Sequence, residues 1–123
     1  MGQITITAVA TYGSTTLPTT IIFDAESVHQ GVMTADTTYE QISSFVAIGG
    51  GTPQAVAVYN GGSVDVSVRL TYSTTKYAFL TVPPACVVIV PQTILDVDVP
   101  VDWELIAVKT VSGTADVEYV VIR

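Results

Sequence analysis

The sequence predicts an all-β protein: an antiparallel β-sandwich, jelly-roll-like, with about eight or nine short strands in one domain over residues 1–123. Three observations carry this. In Ala55–Thr71, AVAVYNGGSVDVSVRLT, Val56 and Val58 and then Val64, Val66, Val68 and Leu70 alternate with other residues, placing one set of side chains on a buried face. Turn residues recur at short intervals along the whole chain, with none of the long helical crossovers that a parallel sheet requires. β-Branched residues and Thr dominate between those turns.

The elements follow in order. Gln3–Thr11 alternates Ile4, Ile6, Ala8 and Ala10 with Thr5, Thr7 and Val9, and reads as a strand. Tyr12–Pro18 holds Gly13 and Pro18 and reads as a loop; Thr19–Phe23 is a short β-branched strand. Asp24–Gln30 has helical character, with Asp24 as cap, but is too short to stand alone. Gly31–Asp36 reads as a connection and Thr37–Ile48 as a strand; Gly49–Pro53, GGGTP, is a breaker. Ala55–Thr71 is expected to form one hairpin, with Asn60-Gly61-Gly62 supplying the positive φ angles of a tight turn. Lys76–Val82 is a strand, and Pro83-Pro84 turns the chain. Cys86–Val90 is almost wholly apolar, as in a strand buried on both faces. Asp96–Asp102 reads as irregular and acidic. Trp103–Thr110 is a strand, Ser112-Gly113 a turn and Ala115–Arg123 the last strand.

Composition narrows the function classes. Charged residues make up 12% of the chain and hydrophobic ones 49%, against a usual charged share of about 25%. So few charges cannot solvate a whole surface, which points either to Thr-rich solvation or to a surface covered by other chains. The net charge is −7, and the four cations are Arg69, Lys76, Lys109 and Arg123. They are too few for a phosphate-binding patch, so direct nucleic-acid binding and attraction to an anionic membrane are not expected. The start, MGQITITAVA, lacks the basic and apolar regions of a secretory signal. No apolar run approaches a membrane-spanning length. Cys86 is the single cysteine, so the fold cannot depend on a disulfide within the chain.

No constellation points to catalysis, and the chain is read as neither an enzyme nor a cofactor binder. His29 has Asp24 and Ser27 nearby, but there is no G-x-S-x-G elbow. Cys86 sits in PPACVVIV with no polar neighbour to activate it and reads as an inert core residue. Asp96, Asp98, Asp102 and Glu104 crowd into DVDVPVDWE. They are weak candidates for Ca²⁺, because the spacing is not that of an EF-hand and a solvated strand edge explains them. Asp65 with Asp116, and Glu40 with Glu118, are carboxylate pairs that only geometry can judge; outward-facing solvation is the simpler account. Trp103, Tyr72, Tyr77 and Tyr59 are the interface candidates, since amphipathic aromatics anchor both protein contacts and sugar platforms. Tyr39 and Tyr119 complete that set beside them, and a core role for Trp103 is the competing reading.

Residues Val58–Val121 run through VYNGG, VDVSVRL, YAFLTVPPACVVIV, WELIAVKT and SGTADVEYVVI. This order resembles the small β-sandwich virion proteins of tailed bacteriophages, with their "v.N.gs.dv.v.l", "f.vppg....v" and "sGta.v.v.v" strands. The chain departs from that pattern at Ala85-Cys86, where a glycine and a polar residue are commoner. The resemblance implies a structural role as a capsid decoration protein, head-fibre base, or neck or tail component. It implies virion proteins as partners, among them the major capsid protein or a neck or tail protein. It also implies a homo-oligomer and location in the virion after synthesis in the host cytoplasm. No catalytic residue carries over. The alternative from another class is a carbohydrate- or receptor-binding β-sandwich module.

Overall fold

Alternating burial organises the chain into two facing layers. The computed structural model describes residues 2–12, 14–25, 28–42, 54–72 and 76–123. Among them there is no helix, and twelve strands are present: β1 (Gly2–Tyr12), β2 (Thr15–Ala25), β3 (Val28–Ala35), β4 (Glu40–Gln41), β5 (Ala55–Asn60), β6 (Val66–Tyr72), β7 (Lys76–Val82), β8 (Val87–Pro91), β9 (Thr93–Asp96), β10 (Val99–Asp102), β11 (Leu105–Thr110) and β12 (Ala115–Ile122). Eight of them form two four-stranded antiparallel sheets, ordered β4-β11-β6-β7 and β3-β12-β5-β8, packed as a sandwich. Val66, Val68, Leu70, Ile106 and Val108 from the first sheet meet Val56, Val58, Val90, Val117 and Val121 from the second in one core. β1 pairs with β2 alone, and β9 with β10 alone.

Several expectations are corrected. Ala55–Thr71 is not a hairpin. β5 lies between β12 and β8, whereas β6 lies between β11 and β7, so Asn60–Asp65 carries the chain from one sheet to the other. Period-two alternation fits both arrangements, because each strand buries one face whichever sheet it joins. Neither Asn60, Gly61 nor Gly62 has positive φ. The glycines are required for space instead. A Cβ on Gly62 would stand 2.5 Å from the Ala115 Cβ, and one on Gly61 would stand 3.2 Å from the Asp116 carbonyl oxygen.

Asn60 itself is fully buried and ties this crossing to the next one. Its Nδ2 donates to the Val64 carbonyl at 2.7 Å and the Val82 carbonyl at 2.9 Å, and its Oδ1 accepts from Gly62 N–H at 2.9 Å. Its backbone N–H donates to Cys86 O at 3.0 Å, and its carbonyl accepts from Ala85 N–H at 2.9 Å. The segment Pro83–Cys86, which returns the chain to the second sheet, closes with Cys86 N–H on Pro83 O at 3.2 Å. Pro84 precedes Ala85, whose φ is 59°. These are the marks of a type II turn with alanine where glycine is preferred.

The expected helical stretch 24–30 and the connection 31–36 give way to the end of β2 and to β3; residues 26–27 lie outside the described residues. Gly31 opens no connection but lies within β3. Tyr119, its cross-strand partner on β12, lays its ring where a Gly31 side chain would stand, with the hydroxyl 2.2 Å from the ideal Cβ position. β2 begins at Thr15 and includes Pro18, where a loop was expected; a proline is tolerated in a two-stranded ribbon with open edges. Of the strand expected over 37–48, only Glu40–Gln41 is extended, and 43–48 and the breaker 49–53 lie outside the described residues. Asp96–Asp102 is not irregular: β9 and β10 close on a two-residue turn, Val97-Asp98, with φ of 48° and 69°. Both values being positive marks a type I′ turn.

Candidate functional site

With the inward faces consumed by the core, function falls to the two outward faces. On the sheet β3-β12-β5-β8, register sets the rows Gln30–Val120–Ala57–Ile89 and Val32–Glu118–Tyr59–Val87 outward. An outward face of a sandwich is ordinarily polar. Here it is chiefly apolar, with Val32 67% and Val87 60% exposed. Two adjoining hollows of about 400 Å³ and about 410 Å³ lie along it and share Gln30, Ala57, Val87 and Val120. Glu118 is the one charged residue among the described residues that line them. The expectation that Cys86–Val90 is buried on both faces is corrected: β8 is an edge strand with one face on the core, Val90 buried and Val87 exposed. The unbroken apolar run reflects one row on the core and one on this outer face.

The outer face of β4-β11-β6-β7 is chemically different. Cross-strand pairing sets Lys109 beside Ser67, Arg69 beside Phe79, and Thr71 beside Tyr77. The Arg69 guanidinium lies 4.3 Å from the Tyr39 ring centroid and 4.9 Å from that of Tyr77, and Lys109 Nζ lies 4.9 Å from Tyr39. The Tyr39 and Phe79 rings are 6.4 Å apart and those of Tyr77 and Phe79 6.2 Å, within the range of favourable aromatic pairs. Tyr39 shares a hydrogen bond with Ser67 Oγ at 2.8 Å. Arg69 Nε is buried without a hydrogen-bond partner among the described residues. Lys76 Nζ pairs with Asp96 at 3.3 Å, and neither Arg69 nor Lys109 has a carboxylate partner among the described residues.

The residues singled out from sequence divide. Trp103 is 1% exposed, and its Nε1–H donates to the Pro91 carbonyl at 2.7 Å. Tyr72 joins the same core. Neither presents a ring to solvent, because the end of β6 and the approach to β11 turn these rings between the sheets. Tyr77 and Tyr59 are exposed, on opposite sheets. Cys86 is exposed rather than core, since it sits in the turn before β8. Asp96, Asp98, Asp102 and Glu104 are not gathered. Asp96 pairs with Lys76, Asp102 accepts from Thr93 Oγ1 at 2.7 Å, and Asp98 occupies the turn. No group of three or more His, Cys, Asp or Glu side chains suited to a metal occurs among the described residues. His29 is exposed on β3; Ser27 lies outside the described residues, and Asp24 is placed only by its backbone on β2. Asp116 accepts from Thr34 Oγ1 at 3.1 Å, and Glu40 and Glu118 stand on different sheets.

Phe79, Arg69, Val87 and Val120 are the functional candidates that the sequence reading missed. The Tyr77–Phe79 spacing and the position of Arg69 between Val68 and Leu70 already put them on an outward row. The meeting of Arg69 with Phe79 depends on β6 pairing with β7, and that of Val120 with Val87 on β5 lying between β12 and β8. Comparison of this chain with protein-family models, curated proteins and solved structures finds no match in any of the three.

Proposed function

We propose that this chain is a structural protein of a bacteriophage virion, attached to the capsid surface or to the head–tail region and acting through protein–protein contacts. The observation that carries the reading is the chiefly apolar outer face of β3-β12-β5-β8, with exposed Val87 beside Tyr59, exposed Val32 across Glu118 in the same row, and two hollows. Each valine brought fully out of water contributes about 1.5–3 kcal/mol. A partner sheet or loop laid on this face therefore gains most of its affinity without ion pairs. The resemblance over Val58–Val121 and the 12% charged content agree with it. Low charge together with exposed apolar rows is the composition of a surface meant to be covered.

Mass spectrometry of purified particles tests the reading. The chain should be recovered in them at a fixed copy number. Val32→Lys with Val87→Lys should abolish incorporation while the melting temperature stays near that of the wild type, since both side chains are exposed. Absence from particles, or undiminished incorporation of the double variant, contradicts it.

A further inference from the structure

Two surfaces carry charges that have no partner of opposite sign among the described residues, and their own signs are opposite. The first is the aromatic face just described, where Arg69 and Lys109 lack carboxylate partners in a chain of net charge −7. Around them Phe79 is 59% and Tyr77 47% exposed. The second is the tip of the β9–β10 ribbon. Val97 is 89%, Leu95 71% and Val99 59% exposed there. Asp98 stands among them with no hydrogen bond or ion pair to any described residue, whereas Asp96 and Asp102 are both engaged. Val97 holds a left-handed φ of 48°, which a β-branched residue adopts only under strain. Exposed valine, strain and an unpaired carboxylate at one tip do nothing for folding.

We infer that the β9–β10 tip of one copy docks on the cation–aromatic face of a second copy. Leu95, Val97 and Val99 cover Phe79 and Tyr77, and the Asp98 carboxylate sits between Arg69 and Lys109. The inference rests on the reading of the chain as an assembly component and names one of its contacts. Net charge alone drives copies apart, so association needs this local match of sign. An acidic sugar is the poorer occupant. The Arg69 guanidinium already lies over the Tyr39 and Tyr77 rings, which leaves no open pair of ring faces for a pyranose. An apolar tip bearing one acid matches a face of aromatic carbon bearing two cations. Because tip and face are different surfaces, the contact is heterologous and propagates from copy to copy.

Sedimentation velocity of the full chain tests this with charge-swap variants. The wild type should associate in a concentration-dependent and salt-weakened manner. Asp98→Lys, and separately Arg69→Glu with Lys109→Glu, should each weaken association about thirty-fold or more. An equimolar mixture of the two variants should restore it, since each tip then finds a face of opposite sign. Asp98→Asn and Lys109→Glu alone, which leave the Arg69–tyrosine stack intact, should weaken it in the same direction. Unfolding monitored through the buried Trp103 shows that each variant is folded. Wild-type association unaffected by the variants, or a mixture that fails to recover, overturns the inference. So does a face that binds polygalacturonate through Arg69 while Asp98→Lys changes nothing. A wild type that stays monomeric at its highest soluble concentration overturns it too, and leaves the particle assay to judge the broader reading separately.

Discussion

The crossing at Asn60–Asp65 and the turn at Asp96–Val99 are both short connections built around Asn or Asp, yet they are opposites. In the first, Asn60 is fully buried and its side-chain amide serves three partners. Gly61 and Gly62 make room for β12, and no residue from 60 to 65 has positive φ. In the second, both central residues are left-handed, Val97 is almost fully exposed, and Asp98 bonds to nothing described. The chemistry at the first connection is spent on holding two sheets together. At the second a backbone strain of order 1 kcal/mol or more persists, with no hydrogen bond or ion pair of Asp98 among the described residues to offset it. Natural chains tolerate such local disagreement where a residue serves something other than folding.

Four variants press on this contrast. Asn60→Ala should have the largest effect. It removes the side-chain partner of one buried backbone group, on Val82, and two half-buried ones, on Gly62 and Val64, and it should cost about 3 kcal/mol, or roughly 10 °C in thermal unfolding. A loss below about 1 kcal/mol would mean that water replaces the amide and that the crossing is not the rigid centre. Gly62→Ala should cost about 1–3 kcal/mol, because its Cβ meets the Ala115 side chain and backbone; urea unfolding gives the value. Val97→Asn with Asp98→Gly, the preferred pair for this turn, should stabilise by about 1 kcal/mol in the same assay. Ala85→Gly, at a φ of 59°, should stabilise by about 0.5 kcal/mol, the smallest change. If the turn variants destabilise, the strain assigned to Val97 is absent.

Much of the fold was legible. Strand Lys76–Val82 and the turn at Gly113, whose φ is 68°, stand where alternation and turn chemistry put them. The sandwich class was legible for the same reason. Pairing was not. The period of two in 55–71 states which face is buried and not which sheet a strand joins, so a crossing looked like a hairpin. Val97-Asp98 is no standard turn pair, so β9 and β10 looked irregular. Gly31 looked like the start of a connection because the ring that fills its place, Tyr119, lies far along the chain. The candidate site shows the same limit. Tyr77 and Tyr59 could be seen as outward aromatics, but Trp103 and Tyr72 could not be told from them without packing. The Arg69 stack exists only once β6 is set against β7.

Sedimentation velocity and thermal unfolding of one variant, Val97→Asn with Asp98→Gly, test the central claim most directly, because stability and association should move in opposite directions. The account predicts a chain that melts a few degrees higher and no longer self-associates where the wild type does. A variant that melts higher and associates as before contradicts the claim that the exposed tip serves assembly.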